Sequence, residues 1–210
     1  IRIAAPATAF LSSTSVVNLS ITLAPPPAPN DTCLTPTVAV QGANPFDTTE
    51  ASNDFTASCN TALSRDVWFT FTPGGNGVIR AATCPGTTWN TVLSILDSCQ
   101  GNELACNDNA SITGCSQQSI ISGFRANGGV TYYFRIGGAS ATTFGVGTFT
   151  LDFQCYADFN NDGGVDGSDV EAFFSLWETG QSGADVNNDG GVDGGDVETF
   201  FALWEAGGCG

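Results

Sequence analysis

Hydrophobic and polar residues alternate in short runs along the middle of the chain, the pattern of strands that bury one face. Six such runs occupy residues 66–72, 77–84, 91–96, 120–124, 130–136 and 147–153. Turn-forming stretches such as Pro73-Gly74-Gly75-Asn76 separate them. Six or more short strands joined by turns predict a mainly β fold, a β-sandwich or jelly roll, over residues 31–154.

An apolar arm, residues 1–23, shows the same alternation near its end. Its apolar positions are Val17, Leu19, Ile21 and Leu23. A proline-rich linker, residues 24–30, separates the arm from the sandwich. Since a lone strand needs a sheet, the arm either completes the sheet of a neighbouring copy, which gives a homopolymer through residues 1–23, or returns to the edge of its own sandwich. The pattern leaves both alternatives open.

The chain after Cys155 repeats itself: the segment from Asp158 to Asp169 recurs 27 residues later, from Asp185 to Asp196. Each copy is followed by apolar residues at the spacing of one helical face. These residues are Val170, Phe173, Phe174, Leu176 and Trp177, then Val197, Phe200, Phe201, Leu203 and Trp204. The repeat therefore predicts a loop followed by a helix, twice, in a C-terminal α-helical module over residues 155–210.

Both loops have the residue pattern of a 12-residue calcium loop. Such a loop supplies oxygen ligands from positions 1, 3, 5, 7, 9 and 12, with glycine at position 6 for the sharp turn. The predicted ligands are Asp158, Asn160, Asp162, Gly164, Asp166 and Asp169, and Asp185, Asn187, Asp189, Gly191, Asp193 and Asp196, with Gly164 and Gly191 acting through their carbonyls. We therefore expect two calcium ions, one per loop.

Too few residues lie between Cys155 and Asp158 for an entering helix, and position 12 is aspartate where an ordinary EF-hand has glutamate. This duplicated loop-then-helix unit resembles a type I dockerin. The resemblance implies binding to a cohesin-like protein. Positions 10 and 11, commonly Ser-Thr in dockerins, are here Gly167-Ser168 and Gly194-Gly195.

The strand region resembles the bacterial pre-peptidase C-terminal type of β-sandwich. The residues that carry the resemblance are Asp66-Val67-Trp68-Phe69-Thr70-Phe71, Trp89-Asn90-Thr91-Val92-Leu93-Ser94-Ile95-Leu96-Asp97, Glu103-Leu104-Ala105-Cys106-Asn107-Asp108 and Thr131-Tyr132-Tyr133-Phe134-Arg135-Ile136-Gly137-Gly138. The resemblance implies an accessory module for adhesion or spacing, with no fixed chemistry.

Charge and composition narrow the function further. The 210-residue chain has a formal net charge of -16, which makes nucleic acid and anionic membranes poor partners. No apolar run is long enough to span a bilayer. The chain contains no histidine to act as a base and no lysine to form a Schiff base, so we expect no enzymatic activity.

Eight cysteines, none beside a histidine, indicate disulfides in an oxidising compartment. We therefore expect a mature secreted product with an extracellular or cell-surface location. Cys155 and Cys209 bracket the repeat, and we predict that they are bonded to each other. Proximity in the sequence favours pairing the other six as Cys33–Cys59, Cys84–Cys99 and Cys106–Cys115.

Two further groups have competing interpretations. Asp97, Glu103, Asn107 and Asp108 can form a third calcium site on the sandwich, or serve as turn residues that bond their own backbone. Trp68, Trp89, Tyr132 and Tyr133 can form a carbohydrate platform, although aromatic residues in strands more often belong to the core.

Three functions are consistent with these patterns. The first is a self-assembling extracellular filament or matrix subunit joined by strand donation from the arm. The second is a dockerin-type module that binds a cohesin-like receptor. The third is a monomeric surface adhesion domain.

Overall fold

Nine strands in two sheets form the body of the protein, and two helices follow them in the computed structural model, which describes residues 26–206. The strands are β1 (Thr37–Val38), β2 (Gly42–Asp47), β3 (Ser64–Phe71), β4 (Gly77–Ala82), β5 (Thr91–Leu96), β6 (Glu103–Asn107), β7 (Ile120–Ala126), β8 (Tyr132–Gly138) and β9 (Val146–Cys155). The helices are α1 (Gly167–Trp177) and α2 (Gly194–Ala206), with a short 3-10 turn at Ser182–Ala184 between them.

The strands form a five-stranded sheet in the order β1-β3-β8-β5-β6 and a four-stranded sheet in the order β2-β9-β4-β7. Apolar side chains from the two facing surfaces fill the space between the sheets. Phe149 of the second sheet lies 5.5 Å from Phe69 and 5.4 Å from Phe134 of the first, measured between ring centroids. The mainly β-sandwich with a small helical C-terminal region is thereby confirmed.

The six predicted strands correspond to β3, β4, β5, β7, β8 and β9, and the sequence pattern missed β1, β2 and β6. β2 contains Pro45, which cannot donate a backbone hydrogen bond and is tolerated because β2 is an edge strand. β1 has only two residues, too few to show an alternation. Among the described residues, no helix has the length and apolar character that crossing a bilayer requires.

The outer face of the five-stranded sheet is covered by the segment that joins β2 to β3. Small clusters beneath it bury Trp68, Val92 and Leu96. β5 is consequently buried on both faces, and all six of its residues are inaccessible. This covering layer explains why β5 is apolar without a clear alternation.

Six of the cysteines form three disulfides, and all three proximity-based pairings were wrong. The bonded pairs are Cys33–Cys99, Cys59–Cys106 and Cys84–Cys115, with Cα atoms 5.2, 5.8 and 5.9 Å apart. They link segments that the sheet topology brings together across 31 to 66 residues of sequence. Cys155 is also disulfide-bonded. Its predicted partner, Cys209, lies outside the described residues, so the Cys155–Cys209 bond stays a prediction.

A buried group of charges sits beneath the same covering segment. The guanidinium of Arg135, fully buried, donates to Glu103 at 3.1 Å and to the carbonyl of Thr56 at 3.0 Å. The carboxylate of Asp66, also fully buried, accepts from the amide of Asp54 at 3.2 Å but lies 4.0 Å from Arg135. The guanidinium of Arg135 therefore faces two carboxylates, of which that of Glu103 is the closer.

Burial raises the pKa of Asp66 from 3.8 to about 7, while the amide of Asp54 and the charge of Arg135 oppose the rise. Because the folded-state pKa lies above the unfolded one, the stabilisation from this group is complete below about pH 4. It is lost as the pH rises through about 7.

The substitution D66N should reveal this dependence. An asparagine side chain has the shape of a protonated aspartic acid and cannot ionise. We expect the free energy of unfolding of the native chain, minus that of D66N, to fall between pH 5 and pH 8 in urea titrations. A difference that grows with pH would instead show that Asp66 is stabilised as an ion by Arg135.

Candidate metal centre

The repeat folds twice into the same loop, loop 1 at residues 158–169 and loop 2 at residues 185–196. Asn161 and Asn188 at position 4 have φ of 60° and 58°. Gly163 and Gly190 at position 6 both have φ of 92°. Asparagine tolerates the left-handed region and glycine enters it freely, so each sharp turn occurs where the sequence provides for it.

The last residue of each loop is a buried aspartate that holds the loop closed. Asp169 accepts hydrogen bonds from the amides of Asn160 at 3.1 Å and Asp166 at 2.8 Å. Asp196 makes the same two bonds in loop 2, at 3.1 and 2.8 Å. Position 12 thus ties position 3 to position 9, the residue just before each helix.

Position 9 also starts the helix. Asp166 is the N-cap of α1 and accepts from the amide of Ser168 at 2.8 Å. The hydrogen bonds from Ser168 lower the pKa of Asp166. Asp193 accepts in the same way from the amide of Gly195 at 2.7 Å. The predicted ligands at positions 3 and 5 bond within the loop, as when Asn160 accepts from the amide of Asp162 at 2.9 Å.

The two loops differ at position 1. In loop 1, the two carboxylate oxygens of Asp158 accept from the amides of Asp162 and Gly163, each at 3.0 Å. In loop 2, Asp185 accepts from the amide of Gly190 at 3.2 Å through Oδ2, whereas its buried Oδ1 has no hydrogen-bond partner. A buried oxygen without a partner is costly and calls for an explanation, of which a bound ion is one.

Each loop gathers four aspartates, and residues 156–210 contain no basic residue. Asp158 is only 7% exposed, and Asp169 and Asp196 are 0% exposed. Buried carboxylates normally require a cation or several donors. The predicted ligands are all oxygen donors, the kind that calcium prefers, and the orphaned oxygen of Asp185 fits such an ion.

Within residues 26–206, no three His, Cys, Asp or Glu side chains converge into a ready-made metal cage. The aspartates of both loops instead turn toward the loop amides described above. Structure and sequence thus place all twelve predicted ligand residues in two matching loops, and calcium binding itself stays a prediction.

Aromatic stacking joins the two halves of the module. Phe173 of α1 and Phe200 of α2 are fully buried and stack in parallel, with centroids 4.3 Å apart and 1° between the planes. Phe159 meets both rings edge-on. Ala184 and Val186 close the small core. The apolar helical faces predicted from the repeat are therefore the faces that meet.

Sequence reasoning missed a second link between the halves. The indole N–H of Trp177, at the end of α1, donates to the carbonyl of Asp193 in loop 2 at 2.8 Å. The indole N–H of Trp204, near the end of α2, donates to the carbonyl of Asp166 in loop 1 at 3.0 Å. The sequence signal that could have indicated this link is the tryptophan that recurs at the same place in both repeats.

The module is anchored to the sandwich where β9 ends. The amide of Tyr156 donates to the carbonyl of Asn76 at 3.0 Å, and Ala157 belongs to the sandwich core. Burial raises the pKa of Tyr156, and the charge of nearby Arg125 opposes the rise. The first loop therefore starts from a fixed point on the sheet.

The four residues considered for a third calcium site have separate partners. Asp97 accepts from the side chain of Asn102 at 2.8 Å, which lowers the pKa of Asp97 within its turn. Glu103 bonds Arg135, and Asn107 accepts from the amide of Ile120 at 3.0 Å. Asp108 accepts through Oδ2 from the side chain of Asn60 at 3.1 Å, while its Oδ1 is buried without a hydrogen-bond partner. These contacts favour turn and packing roles over a shared ion.

The proposed carbohydrate platform is not an exposed surface. Trp68 is fully buried and Tyr132 is 4% exposed. Trp89 and Tyr133 are half-buried, and Trp89 packs edge-on against Phe46. The arm, residues 1–23, lies outside the described residues, so its pairing stays a prediction.

The two-sheet sandwich defines the class of the protein as an all-β domain with a helical appendage. A family model described as galactose binding domain-like, and T9SS-associated, matches residues 29–151. This is more than half of the chain, which therefore belongs to that family. The matched range ends before the repeat, and the dockerin resemblance remains a prediction.

Two solved structures show a low similarity to the chain. One is the pre-peptidase C-terminal domain of a collagenase from Bacillus anthracis, at 12% identity over 55% of this chain and 93% of that one, with a TM-score of 0.35. The other is a family 6 carbohydrate-binding module, at 14% identity over 56% of this chain and 98% of that one, with a TM-score of 0.30. No curated protein matches. Similarity at this level transfers no function.

Removing one ring of the central stack should loosen the whole module. We expect F200A to lower the free energy of unfolding of the module by about 3–5 kcal/mol, the usual cost of deleting a buried phenylalanine ring. Near-ultraviolet circular dichroism during urea unfolding measures the change. F144A, which truncates a partly exposed phenylalanine of the sandwich, is the control. Equal, small losses in both variants would contradict a module built around this stack.

Proposed function

We propose that this chain is a secreted, non-catalytic structural protein whose C-terminal module is held in shape by two calcium ions. The observation that carries the proposal is the pair of matching loops, which bury acidic side chains with no basic residue in their own segment. The T9SS association of the family and the disulfides support secretion or a cell-surface location. The lack of histidine and lysine supports a non-enzymatic role.

The chain's own residues would hold each ion through aspartate and asparagine oxygens and one backbone carbonyl. The ligands would be Asp158, Asn160, Asp162, Gly164, Asp166 and Asp169 in loop 1, and Asp185, Asn187, Asp189, Gly191, Asp193 and Asp196 in loop 2. A bound cation supplies the positive charge that the module lacks. Without it, four carboxylates per loop repel one another, so the affinity for the ion becomes part of the folding free energy.

Calcium should therefore raise the melting temperature of the module, and a chelator should lower it. A ligand present at about 100 times its Kd adds about 2.7 kcal/mol to stability. The double variant D158N/D185N, which weakens position 1 in both loops, should lose this response in differential scanning calorimetry.

D152N is the matched control, because Asp152 is an exposed carboxylate that pairs with Arg80 at 3.1 Å outside the loops. It should keep the full response to calcium. A melting temperature of the native chain that is identical in calcium and in chelator would refute a structural role for the ions.

A second proposal is that the arm, residues 1–23, joins copies of the chain into an extracellular filament or matrix. A groove of about 580 Å³ supports it, formed between the edges of the two sheets by residues 26–30, Thr37, Pro45, Phe46, Asp47 and Glu50. Residues 26–30 of the linker line this groove. The arm's single charge, Arg2, complements the acidic Asp47 and Glu50.

The neighbouring strand edges offer few free backbone groups. The side chain of Asn44 bonds both the amide and the carbonyl of Val40, each at 2.8 Å. β1 is two residues long, and β2 contains Pro45. A very short edge strand and a proline within an edge strand both hinder pairing with another strand. Attachment of the arm would therefore depend on burying its apolar side chains in the groove more than on a long hydrogen-bonded ladder.

Deleting residues 1–23 should convert assemblies into monomers if the arm links copies. Light scattering after gel filtration, over a range of protein concentrations, measures the mass. Deletion of residues 1–10 is the control, because it keeps the alternating positions 17 to 23. Assemblies that persist without residues 1–23 would contradict the proposal. A full-length monomer that the longer deletion destabilises would show that the arm returns to its own sandwich.

The cohesin-like partner has less support. Positions 10 and 11 of the loops, which the dockerin resemblance makes the recognition positions, are Gly167-Ser168 and Gly194-Gly195. Three of these four residues have no side chain. Binding at these positions would have to rely on the backbone and on Ser168 alone.

A further inference from the structure

The two tryptophan bonds cross between the halves of the module. Trp177 is the last residue of α1, the helix that continues from loop 1, yet its indole N–H donates to loop 2. Trp204 lies on α2, which continues from loop 2, yet its indole donates to loop 1. In both cases the acceptor is the backbone carbonyl at position 9.

From this crossing we propose that each tryptophan is a positioning residue for the opposite calcium loop, with Trp177 acting on loop 2 and Trp204 acting on loop 1. The inference rests on the proposed function, since it concerns the affinity of sites that would hold the ions.

The carbonyl at position 9 accepts a second hydrogen bond in each loop, from the amide at position 12. In loop 1 the carbonyl of Asp166 also accepts from the amide of Asp169 at 3.2 Å. In loop 2 the carbonyl of Asp193 accepts from the amide of Asp196 at the same distance. One tryptophan bond therefore orients a residue that supplies the ligand at position 9 and contacts the ligand at position 12.

Each indole is itself held by its own helix. The ring of Trp177 meets Phe174 edge-on at a centroid distance of 5.8 Å, and Trp204 meets Phe201 edge-on at 6.3 Å. The hydrogen bond of this fixed indole therefore presents the opposite loop with a position 9 that is already oriented, which reduces the cost of ordering that loop.

The Phe173–Phe200 stack also couples the halves, but symmetrically. Loss of general packing would weaken both loops alike. The tryptophan bonds instead predict a directional effect, in which a change on one helix weakens the loop of the other half. A larger effect on the opposite loop would therefore indicate that the tryptophan positions that loop, whereas equal effects would indicate a merely structural role.

The experiment is a calcium titration of the full-length protein followed by NMR, with the amide signals of Gly163 and Gly190 reporting loops 1 and 2 separately. Both amides donate to the aspartate at position 1 of their own loop. W177F should raise the calcium midpoint of Gly190 by about threefold to tenfold, the equivalent of one net hydrogen bond, and that of Gly163 by less. W204F should do the reverse.

W89F is the matched control, since Trp89 donates its indole N–H to the carbonyl of Val146 in the sandwich at 3.0 Å. It should leave both midpoints unchanged. If phenylalanine unfolds the module, 3-benzothienylalanine at 177 or 204 keeps the shape of tryptophan and replaces the N–H with sulfur.

Larger effects on the loop of the same half, equal effects on both loops, or no change in either midpoint would overturn the crossed arrangement. If neither glycine signal of the native chain responds to calcium, the proposed function itself fails. The two failures are therefore distinguishable in one titration series.

Discussion

Acidic side chains buried in a segment that contains no basic residue are the constraint on which the C-terminal module depends. Asp169 and Asp196 are inaccessible, yet they meet only backbone amides. Those amides belong to the residues that form the loop and start the helix, so the same carboxylates that need a cation also define the local fold. The small aromatic core then joins two units whose shape is set by their loops.

The sandwich also buries carboxylates, but there a cationic side chain of the same sheet lies among them. Arg135 lies among Glu103, Asp66 and Asp54 and bonds the segment that covers the sheet. The disulfide Cys59–Cys106 holds that segment in place, and Cys33–Cys99 ties the chain before β1 to the turn between β5 and β6. The buried acids of the sandwich thus face a cation from their own sheet, whereas residues 156–210 contain no basic residue that could play the part of Arg135. This contrast is the reason that our calcium proposal concerns the two loops of the module.

Local patterns predicted the parts of the structure that depend on local interactions. The repeat predicted the first and last residue of both loops. It could do so because the turns at Gly163 and Gly190 favour glycine and the carboxylates recur at fixed spacing. Contacts between distant segments were not predictable in this way. The disulfide pairs follow the sheet order, the burial of Asp66 follows the covering segment, and the crossed bonds of Trp177 and Trp204 follow the packing of the two helices.

The most direct test of this account is X-ray diffraction from crystals grown in calcium, with data collected at a long wavelength where calcium scatters anomalously. The account predicts two anomalous peaks per chain, one inside residues 158–169 and one inside residues 185–196. Each peak should be surrounded by aspartate and asparagine oxygens at roughly 2.3–2.6 Å. Ordered loops with no peak in either, at calcium concentrations that saturate ordinary extracellular sites, would contradict it.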